Sequence, residues 1–236
     1  MAKKVLLCGE GSTDYGKQKY GSTEWEEGPV QSIIRRSVHE DIEFANATKN
    51  NVKDVRIQGR TSAKLKGHGV KAYQLCVIAK ELGDIDNIVC YVDADRGQGS
   101  SKSVWDAEKR VQDIYDEIKM GFGTFSVARG RSSIPMIPLK MIESWLLADE
   151  MAFTTCFGKP PTSPPLPKQP ELIWGDEKDP ISEHPKNYLK RVLDQYSSQV
   201  TREIFISIAE NMRIDAIRKR CPISFEQFYH DVQVIG

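Results

Sequence analysis

One run of apolar residues constrains the fold of this chain more than any other feature. Residues 87–92 read Asn-Ile-Val-Cys-Tyr-Val, and the run stops at Asp93. A continuous apolar run rich in β-branched residues is typical of a central strand in a parallel sheet, because both faces of such a strand are buried. A second short run, at residues 5–8, stops at a Gly-Glu-Gly turn around Glu10. We therefore predict two buried parallel strands, each followed at its carboxyl end by acidic residues.

The rest of the chain alternates segments of helical and strand-like pattern. Residues 12–28 are polar and punctuated by glycines, so we expect a loop there. Apolar periodicity predicts the remaining elements. The helices are expected at about residues 29–39, 70–82, 103–119 and 138–149, and the strands at about 54–58 and 125–128. This alternation is typical of an α/β fold built on a mostly parallel, doubly wound sheet flanked by helices.

The composition of the chain changes after residue 155. The segment KPPTSPPLPKQPE at residues 159–171 is rich in proline, which predicts an extended crossing rather than a helix. Beyond it, four segments have helical patterns, at about residues 186–196, 201–208, 213–220 and 225–232. We therefore predict three parts, namely an α/β core over residues 1–155, a proline-rich crossing over 156–185 and a small C-terminal helical appendage over 186–236.

The overall composition fits a folded, soluble protein of the cytoplasm. Hydrophobic residues make up 39% and charged residues 28% of the 236 residues, and the formal net charge is zero. The five cysteines are scattered without a C-x-x-C pair, which indicates reduced thiols rather than a disulfide scaffold or a zinc ribbon. No segment approaches the roughly 20 apolar residues of a membrane-spanning helix, so we expect no membrane association. Because the chain has no net charge, contact with nucleic acid requires a local basic patch.

The acidic residues that follow the two apolar strands predict a metal site. Open α/β sheets bind their ligands beyond the carboxyl ends of the strands, so Glu10 should lie close to Asp93 and Asp95. If strand geometry continues past residue 92, the two aspartates point to the same side. Clustered carboxylates raise each other's pKa unless a cation neutralises them, and oxygen ligands without nearby histidine or cysteine favour Mg²⁺ or Mn²⁺. A turn or a helix cap would also explain the aspartate pair, and that alternative stays open here.

A fourth acid, Glu143, lies on a mostly apolar predicted helix. Its neighbours include Ile142, Trp145 and Leu146, and a carboxylate among such residues is costly without a partner. Lys140, one turn earlier, could form a salt bridge with it on one helix face. A metal ion or an arginine could equally be the partner, and the spacing does not decide between them.

Two short basic segments are candidate contacts for a phosphate backbone. Residues 53–71 contain a single acid and several basic side chains, which are Lys53, Arg56, Arg60, Lys64, Lys66, His68 and Lys71. Residues 129–133 form the second segment. From these segments we expect nucleic acid to contact Arg60, Lys64, Lys66, Arg129 and Arg131. A solvated surface loop explains the first segment equally well, so this alternative stays open.

The order of the motifs suggests a family. The chain combines a strand ending in Gly-Glu-Gly with the segments YVDADRG at residues 91–97, IPLKMIESWLLADE at 137–150 and RCPISFEQF at 220–228. In this order the motifs resemble the Toprim-like proteins of bacterial and archaeal defence loci, and the last resembles the C-terminal CPSF…F signature of that group. Toprim domains also occur in topoisomerases, bacterial primases, recombination proteins and the nucleases of the overcoming-lysogenization-defect family. The resemblance implies a Toprim-like α/β core, covers most of the chain and is weakest over residues 12–70.

The resemblance implies a role for each acid by its position. Glu10 matches the Toprim first-strand glutamate, a metal ligand or general acid/base, and Asp93 and Asp95 match the D-x-D metal ligands. Glu143 matches the acid of the E-x-W helix of the defence group, a candidate ligand of a second metal. Toprim nucleases often carry a further acid soon after the first glutamate. Asp14 could fill that place, although the loop around it is longer than the family pattern leads us to expect.

These observations lead to a hypothesis for the function. We expect a phosphodiesterase dependent on Mg²⁺ or Mn²⁺, a nuclease that acts on DNA or RNA in antiphage defence. Its catalytic side chains would be the four acids Glu10, Asp93, Asp95 and Glu143, with charge on the transition state offset by Lys140, Arg96 or Arg129. By resemblance an ABC- or AAA-type ATPase is an expected partner, and a homo-oligomer stays open. Two alternatives remain, a non-catalytic Toprim-like binding or regulatory subunit of a defence complex and a nucleotide phosphotransfer enzyme.

Overall fold

The computed structural model describes residues 2–9, 11–56, 65–94, 104–125 and 131–236. Within these ranges the centre is a parallel sheet whose strands are β1 (Lys3–Cys8), β4 (Ile42–Asn46), β5 (Asn87–Tyr91) and β6 (Ser132–Met136), in the order β4-β1-β5-β6. Two short strands, β2 (Lys17–Gln18) and β3 (Trp25–Glu26), pair as a separate antiparallel hairpin. The predicted α/β class with a mostly parallel sheet is confirmed.

The two apolar runs identified in the sequence lie side by side in the sheet. β1 pairs with β5 so that Cys8 is opposite Cys90, and every residue of β5 is buried. Because both strands run in the same direction, their carboxyl ends meet at one edge of the sheet, which we call the carboxyl edge. The expected central position of this apolar strand is confirmed, since β5 lies between β1 and β6.

Helices flank the sheet. In the described part of the chain they are α1 (Pro29–Ser37), α2 (Lys49–Asp54), α3 (His68–Leu82), α4 (Val104–Thr124), α5 (Ile142–Leu146), α6 (Glu150–Phe157), α7 (Pro185–Asp194), α8 (Arg202–Asn211), α9 (Ile214–Arg220) and α10 (Pro222–Val232). α1, α7 and α10 each begin with a proline, whose missing N–H group costs nothing in the first helical turn. The proline-rich segment forms no α-helix, as predicted, and ends in a 3-10 turn at Pro170–Leu172. None of these helices is long and apolar enough to cross a bilayer.

The side chains of the sheet divide the interior into two cores. Odd-numbered residues of β1 and β5, such as Leu7 and Tyr91, point to what we call the first face, where they pack with α1 and with α5 to α10. Even-numbered residues, such as Leu6 and Cys90, point to the second face and pack with α2, α3 and α4. The C-terminal helices therefore bury apolar side chains in the same core as the sheet. The division into three parts stays a prediction.

The strand expected at residues 54–58 is wrong for the residues that the structure describes. Residues 49–54 form α2 instead, and the strand of this region, β4, lies earlier in the chain. Thr48 starts α2, because its hydroxyl accepts a hydrogen bond from the N–H of Asn51 at 3.1 Å, and the Asn51 side chain accepts one from the N–H of Thr48 at 2.9 Å. β4 is an edge strand with no fully buried residue, so it lacks the apolar run that marks a central strand.

Two further expectations differ from the structure. The segment expected to be a loop at residues 12–28 contains the β2–β3 hairpin. The last strand was expected at residues 125–128, of which 126–128 lie outside the described residues. The strand of this region that the structure describes, β6, comes later in the chain, at the edge of the sheet. Its Pro135 conceals it in the sequence, because proline cannot donate a hydrogen bond to a neighbouring strand and argues against a strand assignment.

Candidate active site

The candidate site is built around the hydroxyl group of Tyr91 at the carboxyl edge. Tyr91 is the last residue of β5 and is fully buried on the first face. Its hydroxyl oxygen lies 2.7 Å from Asp93 Oδ1 and 3.3 Å from Asp14 Oδ2. The hydroxyl carries one proton, so it donates to Asp93, the closer acceptor. A second hydrogen bond requires Asp14 itself to carry a proton.

The pKa of Asp14 lies in the range where it can carry that proton. Burial raises the pKa of Asp14 to about 6, while the charge of Lys186 acts in the opposite direction. Near and below pH 6 the carboxyl group can therefore donate to the Tyr91 oxygen. Without a cation, the two aspartates and the tyrosine hydroxyl form a small hydrogen-bonded group that depends on pH.

Close approaches at two glycines fix the segment that carries Asp14. A Cβ atom on Gly9, directly after β1, would lie 2.7 Å from the ring of Tyr91. A Cβ atom on Gly28 would lie 2.2 Å from the carbonyl oxygen of Asp14, which also accepts a hydrogen bond from the N–H of Val30 at 3.1 Å. Only glycine permits such distances. The exit of β1 and the start of α1 are therefore both fitted closely around the site.

Glu143 is a third acid in this region. It lies in the first turn of α5 and is 4% exposed, and its Oε2 atom has no hydrogen-bond partner among the described residues. Burial, followed by the negative charges of Asp14 and then Asp93, raises the pKa of Glu143 to about 8, against opposing contributions that include the charge of Lys186. Because these carboxyl groups act on one another, we call Asp14, Asp93 and Glu143 the acid cluster.

Helix α7 brings positive charge to the acid cluster. A cavity of about 590 Å³ is lined by Asp14 and Glu143 and, from α7, by Lys186 and Lys190. Burial lowers the pKa of Lys186, but its hydrogen bond to Glu177 at 3.1 Å and the nearby carboxylates outweigh this effect and raise the pKa overall. Lys186 therefore keeps its charge at neutral pH and partly balances the acids. This arrangement joins the predicted α/β core to the predicted helical appendage in one cavity.

The chain matches a family model described as a domain of unknown function, DUF4276, over residues 21–233. The chain belongs to the DUF4276 family. No curated protein and no solved structure gives a match. The DUF4276 span includes Asp93, Glu143 and Lys186, and it begins after Asp14.

In this DUF4276 chain, the acid cluster contains some of the residues expected from the sequence. Asp93 and Glu143, which the sequence predicted as site residues, lie close enough for the charge of Asp93 to act on Glu143, and Asp14 lies beside both. Tyr91 was missed because it was counted as an apolar strand residue, and no sequence signal pointed to Lys186. Several predicted residues lie outside the described residues, namely Glu10, Asp95, Arg60, Lys64, Arg96 and Arg129.

Lys140 does not lie on the helix that carries Glu143. α5 begins at Ile142, and Lys140 precedes it with a φ angle of 75°. Its ammonium group lies 4.0 Å from the centre of the Trp174 ring. The expected helix over residues 138–149 is therefore too long, because the chain turns at Lys140. The alternative of a salt bridge along one helix face to Glu143 is wrong for the same reason.

The described members of the predicted nucleic-acid contacts lie in different places. Lys66 is exposed and shortly precedes α3. Arg131 donates hydrogen bonds to the carbonyl oxygens of Ile85 at 2.8 Å and Gly83 at 2.7 Å, just before β5 begins. Arg131 therefore lies at the amino-terminal edge of the sheet, opposite the acid cluster. Arg131 is therefore not placed to contact a nucleic acid that is bound at the acid cluster.

The acid cluster suits Mg²⁺ or Mn²⁺ in the type of its ligands but not in their number. It offers carboxylate oxygens, which these ions prefer, and Glu143 Oε2 is a buried acceptor that lacks a partner among the described residues. However, no three His, Cys, Asp or Glu side chains within the described ranges are placed to hold a metal ion together. A complete site in this DUF4276 chain would need further acids, and Glu10 and Asp95 are the ones that the sequence offers.

Proposed function

We propose that this protein is a Toprim-like phosphodiesterase that uses Mg²⁺ or Mn²⁺ to cleave DNA or RNA. The main support is the convergence of Asp93 and Asp14 on the Tyr91 hydroxyl at the carboxyl edge of a parallel sheet. Open α/β sheets bind their ligands at this edge. Glu143 strengthens the argument, because its carboxyl group is buried beside the other acids and one of its oxygens has no described partner.

The electrostatics of the acid cluster support a divalent cation. Burial raises the pKa of Asp14 to about 6, and burial together with the negative charges of Asp14 and Asp93 raises the pKa of Glu143 to about 8. At neutral pH Glu143 therefore keeps a proton unless positive charge replaces it. We propose Asp93 and Glu143 as metal ligands, together with Glu10 and Asp95. When bound, Mg²⁺ or Mn²⁺ would polarise a phosphodiester and lower the pKa of a water molecule enough to supply hydroxide.

Other side chains of the site would orient the ligands and balance charge. Tyr91 donates to Asp93 and so fixes the direction of that carboxylate, as hydrogen-bond partners of metal ligands commonly do. We assign the offsetting of negative charge on the reacting phosphate to Lys186 rather than Lys140. Lys186 lines the same cavity as Glu143, whereas the ammonium group of Lys140 lies over Trp174.

The family resemblance supports a biological setting for this activity. On that resemblance we propose a cytoplasmic antiphage defence system, with an ABC- or AAA-type ATPase as the partner. The second candidate function is a non-catalytic Toprim-like subunit that binds nucleic acid or regulates a complex. The hydrogen bonds that join Asp14, Tyr91 and Asp93 favour this candidate, because they give these polar side chains partners without a cation.

A cleavage assay separates the two candidates. With Mg²⁺ or Mn²⁺ we expect the protein to cleave at least one of supercoiled plasmid, single-stranded DNA and RNA. Asp93→Asn should lower the rate by about 100-fold or more, and Tyr91→Phe by about 10- to 100-fold with a higher metal requirement, because ligands and their orienting partners contribute on this scale. Asp113→Asn, an exposed carboxylate on α4, is the matched control. Equal cleavage by all four proteins would indicate a contaminating nuclease and favour the non-catalytic subunit.

A further inference from the structure

The cavity beside the acid cluster extends along one side of helix α7. Its volume is about 590 Å³, Asp14 and Glu143 line it, and we call it the site cavity. From α7 it is lined by Lys186, Lys190 and Asp194, which lie four residues apart and so project from the same side of the helix. These three positions span about 12 Å along the helix axis. The charge of Lys186 acts on both Asp14 and Glu143, so the acid cluster lies at the Lys186 end of the cavity.

The other end of the site cavity, which we call its far end, carries different chemistry. Beyond α7 it is lined by Ser198, Gln199 and Val200. The Val200 side chain is apolar and 46% exposed, so it offers a surface against which a ligand can pack. Among the described residues, no partner forms a hydrogen bond with the side chains of Asp194, Ser198 or Gln199. These polar groups are therefore available to a ligand as donors and acceptors.

Lys190 differs from Lys186 in its partners. Lys186 already forms an ion pair with Glu177 at 3.1 Å. Lys190 is exposed and has no ion pair or hydrogen bond with any residue in the part of the chain that the structure describes. Asp194 follows it by four residues, a spacing that permits a salt bridge along a helix, but the two side chains are not paired. An anion in the cavity therefore meets a cation that no described acid has neutralised.

The size of the site cavity suits one nucleotide. Binding sites for small molecules commonly have volumes of about 300–1,000 Å³. A nucleotide that lies along α7 places its phosphate beside Lys190 and its base at the far end, next to Gln199 and Val200. A base that is paired within a duplex cannot enter such a cavity unless it leaves the stack, which costs free energy.

We propose that the site cavity binds one unpaired nucleotide, so that the substrate of this protein is single-stranded nucleic acid rather than an intact duplex. The proposal rests on the proposed function and names the substrate class of that site. Lys190 contacts the phosphate of this nucleotide as a point charge, next to the phosphodiester that the acid cluster holds. Val200 packs against the base, and Gln199 forms a hydrogen bond with it.

Binding measurements without cleavage test this site. In EDTA, fluorescence anisotropy gives the affinity for a short fluorescein-labelled single-stranded DNA, for an RNA of the same sequence and for the blunt-ended DNA duplex. We expect at least one single strand to bind about 10-fold or more tightly than the duplex, because the duplex must unpair a base. Lys190→Gln should weaken this binding by about 5- to 10-fold at low salt. Its slope of log K against log salt should fall by about 0.7, the contribution of one phosphate contact on a single strand.

A second exposed lysine provides the matched control. Lys80 lies on α3, outside the site cavity, and Lys80→Gln removes the same charge there. This variant should bind single strands as the wild type does. Equal affinity of the wild type for single strands and duplex would overturn the site for an unpaired nucleotide. Wild-type affinity in Lys190→Gln, or an equal loss in Lys80→Gln, would overturn it as well.

Two small molecules separate this proposal from the proposed function. A nucleoside 5′-monophosphate should displace the labelled strand at a lower concentration than inorganic phosphate does, because its base fills the far end of the cavity. Equal displacement by both would leave only a phosphate contact and overturn the nucleotide site. Hydrolysis of bis(p-nitrophenyl) phosphate by the wild type and by Asp93→Asn tests the acid cluster without a strand. Binding that depends on Lys190, without any such hydrolysis, would overturn the nuclease and leave the nucleotide site standing.

Discussion

At the scale of single residues, the site depends on a side chain whose chemistry the sequence pattern conceals. Tyr91 belongs to a continuous apolar run, which predicts a side chain of the hydrophobic core. Its hydroxyl group nevertheless contacts two acids, Asp14 and Asp93. Asp93 and Glu143 could be predicted, because a carboxylate at a strand end or on an apolar helix is unusual. Lys186 could not, since it comes from a helix beyond the proline-rich crossing and only the tertiary fold brings it to the acids.

The raised pKa values of the acid cluster predict how stability depends on pH without metal. The folded protein keeps a proton on Asp14 up to about pH 6 and on Glu143 up to about pH 8. In the unfolded chain both groups lose their protons near about pH 4. Folding therefore binds protons in this window, and the free energy of unfolding falls as the pH rises from about 4 to about 8.

Thermal unfolding in EDTA measures this dependence. We expect a lower Tm at about pH 8 than at about pH 5.5, and a larger stabilisation by Mg²⁺ at the higher pH, because the cation replaces the proton. Glu143→Gln should remove much of both effects. Burial also raises the pKa of Glu171, to about 7, so this group too makes the folded protein less stable as the pH rises. Its carboxyl group accepts a hydrogen bond at the N-terminus of α10 rather than facing the acid cluster. Glu171→Gln should therefore leave the stabilisation by Mg²⁺ unchanged. If Glu143→Gln responded to pH and Mg²⁺ as the wild type does, Glu143 would not be the group that exchanges its proton for the cation.

At the scale of elements, the sequence predicts buried strands better than edge strands. β5 is buried on both faces and leaves an apolar run that is easy to read. β4 is only partly buried, and β6 contains Pro135, so neither edge strand leaves a comparable run. The helix around Glu143 was predicted too long, because Lys140 takes a positive φ angle at a position where no glycine marks the turn. The local sequence pattern therefore predicts the central strand of the sheet, whereas the positions of the edge strands depend on tertiary contacts.

The side chain of Asn187, next to Lys186 in helix α7, joins that helix to the preceding loop. The Asn187 side-chain nitrogen lies 2.7 to 3.2 Å from three carbonyl oxygens of the preceding loop, those of Asp176, Glu177 and Asp179. We expect Asn187→Ala to cost about 1–3 kcal/mol, because these acceptors lose their donor. Hydrogen exchange should become faster at residues 176–182, and the Tm should fall. Asn50→Ala, at an exposed position of α2, is the control. Unchanged exchange in Asn187→Ala would show that other contacts hold the loop.

At the scale of the whole molecule, a chain of buried hydrogen bonds joins three distant segments. Glu171, at the end of the proline-rich segment, accepts hydrogen bonds from the N–H groups of Ile223 at 2.9 Å and Ser224 at 3.1 Å. The Ser224 hydroxyl donates to Glu171 at 2.8 Å and accepts from the indole N–H of Trp145 at 2.8 Å. Trp145 shares α5 with Glu143. The start of α10 thus supports the helix that carries a site acid, which explains in physical terms why two separate sequence motifs occur together.

The shared core predicts that a chain ending at residue 155 does not fold, which tests the boundary drawn from composition. The first core joins Tyr91 and Trp145 to Leu189 and Phe225, and the truncation removes the last two. Each large side chain contributes about 1.5–3 kcal/mol by burial, whereas a whole domain is stable by only about 5–15 kcal/mol. The truncated chain should therefore lack a cooperative thermal transition and a dispersed amide NMR spectrum, both of which the full chain should have. A sharp transition in the truncated chain would instead establish residues 1–155 as an independent core with the helices as a true appendage.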